Sequence, residues 1–165
     1  MSDKKRYAYH CTSVDPEIIK KNGWKSGKGG FTSNNMFEDL YENYLPEVPV
    51  FVSDEKVKVW SNKSKYCIKL DITDLDLYPD FGSLPDVGAY YDSDSELFWW
   101  KSKNDIKSKE MKEFVRVFGA DDSSFYACDF SGEDSMENLG TACVSGKDLT
   151  PDRIVAVIKR DKNNK

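Results

Sequence analysis

The stretch Tyr7-Ala8-Tyr9-His10-Cys11-Thr12 carries the first structural prediction, because it is typical of a short strand that ends in polar side chains. It contains the only histidine of the sequence. The residues that follow, Asp15-Pro16-Glu17, predict the start of a helix, since aspartate caps free backbone amides and proline is tolerated in a first turn. Gly23 is a natural end for that helix. A histidine followed by threonine at a strand end predicts an edge at which a ligand binds.

The bulk properties of the chain favour one domain over residues 1–165. A chain of 165 residues can bury a core of its own, which we place at about 7–158, with a frayed tail at Lys159–Lys165. The net charge of -5 argues against general nucleic-acid binding, but it does not exclude a basic groove on an acidic body. The sequence shows neither a leader segment nor an apolar run of membrane-spanning length, which favours a cytoplasmic protein without a membrane partner.

The cysteines do not predict a metal site. The chain has four of them, Cys11, Cys67, Cys128 and Cys143, and they are far apart in sequence. No C-x-x-C pair exists, and one histidine cannot complete a zinc site with them in any usual spacing. We therefore expect buried free thiols and no bound metal.

Strands and short helices follow one another irregularly along the chain. One helix is predicted between a cap at Asn104-Asp105 and a stop at Gly119, because apolar residues recur there at three- and four-residue intervals. Polar residues 131–139 predict a turn region, and acidic residues 71–96 a long irregular loop. The mixture without a β-α-β repeat favours an α+β fold. Further helices are predicted at 17–22, 36–44 and 54–61, and further strands at 48–53, 66–72, 124–130, 141–144 and 151–158.

Three familiar site patterns are incomplete in this sequence. A Ser-His-Asp triad needs His10, but no G-x-S-x-G motif supplies the serine. A Cys-His pair is weak because Cys11 points to the opposite side of the strand from its neighbour His10. Residues 92–96 resemble half of a calcium loop but lack its glycine and its terminal glutamate, so a solvated turn is the better interpretation.

Three short motifs stand in a distinctive order: Tyr9-His10-Cys11-Thr12, Val50-Phe51-Val52-Ser53 and Thr141-Ala142-Cys143-Val144. Over roughly 7–158 this order resembles the ADP-ribosyltransferase fold of the histidine-aromatic-acid type. Within that superfamily it is most similar to small bacterial and phage members, such as the rifampin-modifying and anti-CRISPR ADP-ribosyltransferases. The resemblance implies two small, mostly antiparallel sheets around a cleft with short helices. It also implies NAD as co-substrate and transfer of ADP-ribose to a macromolecular or small-molecule acceptor.

The resemblance assigns the NAD contacts to two strands. His10 would hydrogen-bond the ribose next to nicotinamide, and the backbone at Cys11 would hold the nicotinamide amide, although the family has glycine at that position. Thr12 completes the first motif and Ser53 the second. Phe51 would stack on nicotinamide, where the family usually has tyrosine, and stacking needs only the face of the ring.

The resemblance leaves the catalytic acid open. Many relatives have a glutamate at the start of the strand where this chain has Thr141, and the nearest acid here is Glu137. The rifampin-modifying type instead supplies an aspartate after the strand equivalent to 66–72, which points to Asp76 or Asp80. A carboxylate is needed because cleavage of the glycosidic bond builds positive charge on the ribose. We prefer Asp80, then Asp76, then Glu137.

Two other functions stay open at this point. A degenerate transferase scaffold could serve as a binding module whose acidic residues 71–96 engage a basic protein. RNA 2'-phosphotransferase-like chemistry on the same fold ranks lower, because it needs several arginines and the chain has only Arg6, Arg116 and Arg153. The sequence does not identify the acceptor, the partner or the oligomeric state.

Overall fold

Strand β1 (Tyr7–Thr12) lies in the middle of a five-stranded sheet in the computed structural model, which describes residues 4–24, 38–54 and 64–159. The strand order is β7-β2-β1-β3-β8, and the recorded pairings of β1 with β2 and β3, and of β3 with β8, are antiparallel. This agrees with the α+β class expected from the mixed elements. The other four strands are β2 (Pro49–Ser53), β3 (Tyr66–Asp71), β7 (Thr141–Ser145) and β8 (Ile154–Lys159).

The two neighbours of β1 pair with it to very different extents. With β3 the register runs along the whole strand, from Tyr7 opposite Asp71 to Thr12 opposite Tyr66. With β2 the recorded register is the single pair Tyr9 and Ser53. The end of β1 that carries the histidine motif is therefore tied to β3 by the backbone ladder, and the His10 side chain reaches the Phe51 carbonyl oxygen of β2.

Helix α1 (Pro16–Asn22) follows β1 as its flanking residues predict. The Asp15 carboxylate accepts the Glu17 backbone N–H at 2.9 Å, and Gly23 ends the helix with a positive φ of 82°. The two isoleucines of this helix do not both enter the core. Ile19 is buried, whereas Ile18 is 50% exposed, because adjacent helical positions point in different directions.

The chain divides into two compact units. The sheet unit comprises Met1–Ser26, Pro46–Asp76 and Val144–Lys165, and the aromatic unit comprises Gly27–Leu45 and Leu77–Cys143. The expectation of one domain over residues 1–165 stays a prediction. Elements of the aromatic unit are α2 (Glu38–Tyr44), β4 (Tyr90–Asp92), β5 (Leu97–Trp99), α3 (Lys109–Phe118), β6 (Ser124–Tyr126) and α4 (Gly132–Leu139).

Stacked phenylalanine rings form the core of the aromatic unit. Phe98 is fully buried, and its ring centroid lies 5.5 Å from that of Phe81 on one side and 5.5 Å from that of Phe125 on the other. Phe114 of α3 meets Phe125 edge-on at 5.4 Å. Such rings bury large apolar areas and favour offset or edge-on contacts, so they hold α3 against the sheet β4-β5-β6.

Residues 71–96 are more ordered than the irregular loop expected from their composition. They contain 3₁₀ turns at Phe81–Ser83 and Pro85–Val87, and then β4, which pairs antiparallel with β5. The connection between the strands is a tight acidic turn in which Asp92 accepts the backbone N–H of Asp94. Aromatic residues on both sides of the turn stabilise the hairpin, which outweighs the polar composition of the turn.

One helix was not predicted from the sequence, and another begins later than predicted. Residues 131–139 form α4 and not a turn region, because Ser131 and Asp134 make a reciprocal capping box. Helix α3 begins after Ser108, whose hydroxyl accepts the Met111 backbone N–H, whereas Lys103–Asp105 form a separate 3₁₀ turn. The predicted end at Gly119 is confirmed.

Several expectations fall wholly or partly on residues outside the described ranges. They concern the helix at 54–61, the start of the helix at 36–44 and the frayed tail at Lys159–Lys165. The described part of the predicted helix at 36–44 is α2, in which Leu40 is fully buried. In the described ranges, each helix is too short or too polar to cross a membrane.

Candidate ligand-binding site

A hydrogen bond to the neighbouring strand β2 determines the tautomer of the His10 ring. Its Nδ1 lies 2.7 Å from the backbone carbonyl oxygen of Phe51 on β2. A carbonyl oxygen only accepts, so Nδ1 must carry the proton and donate it. In the neutral ring this leaves Nε2 with a lone pair, and the site therefore offers a hydrogen-bond acceptor to a ligand hydroxyl.

Burial keeps this ring neutral. Burial lowers the pKa of His10 below its usual value of 6.5, and the hydrogen bond to the Phe51 carbonyl offsets part of that shift. The Trp24 and His10 rings meet nearly at a right angle, with centroids 5.2 Å apart and planes at 80°. At neutral pH the imidazole is therefore an uncharged acceptor that is fixed in one tautomer.

Trp24 is a site residue that sequence reasoning missed. It stands directly after the glycine that ends α1. Gly146 packs closely against Trp24. A Cβ added at Gly146 would come within 2.8 Å of the Trp24 Cβ and 2.7 Å of Val48 Cγ1. The Trp24 indole Nε1 is buried and has no hydrogen-bond partner among the described residues. Only its position after a helix end could have pointed to it, because its contacts are distant in sequence.

The other predicted NAD contacts lie on β1 and β2. Cys11 and Thr12 are half-buried, and the Thr12 hydroxyl accepts the Val14 backbone N–H at 3.1 Å. Phe51 is half-buried, whereas Ser53 is 5% exposed and faces Tyr9 across the ladder. The structure thus brings His10 next to the Phe51 backbone and places Ser53 in the interior, where its side chain is shielded.

Asp80 is the predicted acid with the most unusual environment. It belongs to the aromatic unit and is 4% exposed. Its carboxylate Oδ2 accepts the Ser83 hydroxyl at 2.6 Å, and its backbone N–H donates to the Ser135 hydroxyl at 2.9 Å. Ser135 in turn donates to the Thr141 carbonyl at 2.7 Å, and the Thr141 hydroxyl lies 3.4 Å from the Ser83 hydroxyl. Four polar side chains therefore form one buried network.

The charged form of Asp80 is disfavoured in this environment. Burial raises the pKa of Asp80, while the hydroxyl groups of Ser83 and Thr141 oppose the shift. The second carboxyl oxygen, Oδ1, is buried without a hydrogen-bond partner among the described residues. A buried carboxyl group with a raised pKa and an oxygen that lacks a hydrogen-bond partner is often a functional group.

The other two predicted acids have ordinary surroundings. Asp76 is exposed in the sheet unit, shortly after β3. Glu137 is exposed on α4, which is the helix that replaces the predicted turn. Sequence reasoning missed Ser83 and Ser135. The spacing of Asp80 and Ser83 could have suggested the first, but Ser135 is 55 residues away from its Asp80 contact.

The cysteines are less uniform than expected. Cys67 and Cys143 are buried, but Cys11 is half-buried and Cys128 is exposed, and all four are free thiols. In the part of the chain that the structure describes, no three His, Cys, Asp or Glu side chains are grouped so that they could hold a metal ion. Comparisons with protein-family models, with curated proteins and with solved structures gave no match for this chain.

Proposed function

We propose that this chain is an ADP-ribosyltransferase-like protein that binds NAD through β1 and β2. The observation that carries the proposal is the bond from His10 Nδ1 to the Phe51 carbonyl oxygen. It leaves a neutral Nε2 acceptor on the strand whose motif resembles the ribose-binding strand of that family. A fixed, uncharged acceptor suits a ribose hydroxyl, which donates without needing a charged partner. Phe51 would supply the stacking ring from β2.

The proposed reaction transfers ADP-ribose to a nucleophilic acceptor. The bond between the ribose C1 and the nicotinamide nitrogen breaks, and nicotinamide leaves as a neutral molecule with the bonding electron pair. A new bond forms between C1 and the acceptor, whose proton passes to a carboxylate. Asp80 is our first candidate for that carboxylate, supported by its raised pKa and by its network to Thr141, the position of the family's glutamate. Asp76 and Glu137 are the alternatives.

The first experiment is calorimetric titration with NAD together with an assay of NAD cleavage. His10→Asn keeps a donor for the Phe51 carbonyl but removes the Nε2 acceptor, whereas His10→Ala removes both. We expect both variants to bind NAD about tenfold more weakly, which corresponds to one lost hydrogen bond of ~1.5 kcal/mol. Only His10→Ala should also lower the melting temperature.

Lys20→Ala, on the exposed side of α1, is the control for general damage. It should bind NAD as the wild type does. Wild-type NAD affinity in His10→Asn would contradict the proposed ribose contact. No heat with NAD in the wild-type protein would contradict the function itself.

The acidic composition of residues 71–96 favours one second candidate, a binding module on the same scaffold. This segment contains no lysine or arginine, and Asp86, Asp92 and Asp94 are exposed in it. A protein of this kind would bind a basic peptide with an affinity that falls as salt rises, and it would not cleave NAD. Calorimetry with NAD and with a basic peptide separates the two candidates.

The arginines do not favour phosphotransferase chemistry. Arg116 pairs with Glu113 on the exposed face of α3. Arg153 donates to the backbone carbonyls of Asp71 and Thr73, and thereby ties the start of β8 to the end of β3. Two of the three arginines therefore have structural partners.

A further inference from the structure

A surface cavity of about 370 Å³ lies in the aromatic unit, and it shares no residue with the proposed NAD site. Its volume is within the ~300–1,000 Å³ range of small-molecule sites. One aromatic ring, two lysines, two shorter polar side chains and an isoleucine line it together with a glycine. These residues are Gly88, Tyr90, Lys101, Asn104, Asp105, Ile106 and Lys107.

The aromatic wall can stack a planar ligand. Tyr90 is 48% exposed, and its ring stacks on Trp99, the residue opposite it on β5, with centroids 4.7 Å apart. The cross-strand partner holds the tyrosine ring in place, so a ligand ring would meet a surface that is already ordered. Base–aromatic stacking is a general way to bind any nucleobase, since each base has a π face.

The positive charge at the cavity is available for a ligand. Lys101 and Lys107 form no ion pair with any described residue, whereas Lys103 is paired with Asp122 at 3.8 Å. The Lys101 ammonium lies over the Tyr90 ring, 5.8 Å from its centroid, so it is already next to the ring on which a base would stack. Residues 101–112 contain five lysines and two acids in a chain whose net charge is -5. Unpaired ammonium groups beside an aromatic ring suit an anionic group attached to a planar one.

The cavity wall is closely packed, and it offers a hydrogen-bond acceptor, the Asp105 carboxylate, in addition to the lysine donors. The Val87 carbonyl accepts both the Trp100 indole N–H at 3.0 Å and the Lys107 backbone N–H at 3.1 Å. A Cβ on Gly88 would come within 3.0 Å of the Asp105 carbonyl oxygen, so this wall is closely packed. The Asp105 carboxylate disfavours a bare anion but can accept hydrogen bonds from sugar hydroxyls or from an exocyclic amine.

We propose that this cavity is a nucleotide-binding site. The base stacks on Tyr90, the phosphate lies between Lys101 and Lys107, and Asp105 accepts hydrogen bonds from the sugar or the base. The proposal is independent of NAD binding at His10. A free mononucleotide and a nucleotide within a single-stranded nucleic acid would offer the cavity the same base, sugar and phosphate.

The test is titration with 5′-AMP, followed by tryptophan fluorescence and by backbone chemical shifts. AMP should perturb Tyr90, Lys101 and Lys107, and adenosine or ribose 5-phosphate should bind more weakly than AMP. Tyr90→Ala should weaken AMP binding about tenfold. Lys101→Glu, which leaves the core untouched, should weaken it similarly and reduce its dependence on salt.

The chain offers matched controls. Tyr126→Ala removes an equally exposed tyrosine from the opposite edge strand, β6, and Lys112→Glu reverses an exposed lysine on α3. Both should leave AMP binding unchanged. Binding of AMP that fails to respond to Tyr90→Ala and Lys101→Glu, equal losses in the controls, or no binding at all would overturn the proposal.

A comparison of AMP with hexa-adenylate identifies the source of the nucleotide. Equal affinity of the two probes assigns the site to a free mononucleotide. A much tighter hexa-adenylate complex, lost in Tyr90→Ala, assigns it to single-stranded nucleic acid. Loss in Tyr90→Ala is required for either assignment.

Discussion

At the scale of single residues, His10 couples the proposed site to the stability of the protein. The unfolded chain binds a proton at His10 with a pKa near 6.5, and burial lowers the pKa in the folded state. The unfolded state therefore binds more protons as the pH falls, and the contribution of His10 to stability is present above that pH and lost below it.

We expect the free energy of unfolding of the wild type to decrease, relative to His10→Asn, as the pH is lowered from 7 through 6.5 and below. Chemical denaturation of both proteins at a series of pH values measures this difference. The comparison with His10→Asn cancels the titration of all other groups. Parallel curves for the two proteins would contradict the assigned burial and protonation of His10.

Asp80 couples to stability with the opposite sign. Its pKa is raised in the folded state, so the folded protein binds more protons than the unfolded chain, and stability falls as the pH rises above the usual value of 3.8. A buried carboxyl group that costs stability at neutral pH is typical of residues that are kept for function.

Asp80→Asn should therefore raise the melting temperature at pH 7 and abolish NAD cleavage, because the amide keeps an acceptor for Ser83 but carries no charge. The gain in stability should shrink as the pH approaches 3.8. Asp76→Asn, at an exposed position, should change stability by less than ~0.5 kcal/mol. If Asp76→Asn or Glu137→Gln abolishes cleavage and Asp80→Asn does not, our order of acids is wrong.

At the scale of elements, α4 is fixed in place by the close approach of its first residue. Gly132 is buried, and a Cβ there would lie 2.1 Å from the Leu77 carbonyl carbon and 2.4 Å from the Tyr78 nitrogen. Neither neighbour is a flexible side-chain end, so the backbone would have to move. The same helix carries Ser135, which binds the Asp80 backbone, so a shift of α4 also disturbs the buried network.

Gly132→Ala should destabilise the protein by about 3 kcal/mol or more, because the added methyl group overpacks two backbone segments. Urea denaturation measures the loss. Glu137→Ala on the exposed face of the same helix is the matched control and should change stability by less than ~0.5 kcal/mol. A small effect at Gly132 would show that α4 does not pack against 77–78 as described.

At the scale of the whole molecule, charge is distributed unevenly over an acidic chain. Every charged residue in 71–96 is an aspartate or a glutamate, whereas residues 101–112 contain five lysines. The net charge of -5 is therefore an average over segments of opposite sign, and it does not exclude a local basic site. Local patches of either sign can select ligands that the average charge would repel.

The sequence by itself determined the elements whose signals are local. Asp15 and Gly23 predicted both ends of α1, Gly119 predicted the end of α3, and short apolar runs predicted the strands of the sheet. These features depend on hydrogen bonds and steric limits within about four residues, which any one segment contains in full. Helix α4 was missed although its capping box, Ser131 with Asp134, is equally local, because a glycine follows the capping serine and polar residues dominate the segment.

Only the tertiary structure decided which distant groups meet. The His10 bond to Phe51 spans 41 residues, and the Asp80 contact with Ser135 spans 55. Such contacts form because buried polar groups must find partners once packing has excluded water, and packing depends on the whole chain. The sequence could therefore name His10 and Asp80 as candidates, but the neutral tautomer of one and the raised pKa of the other required the folded surroundings.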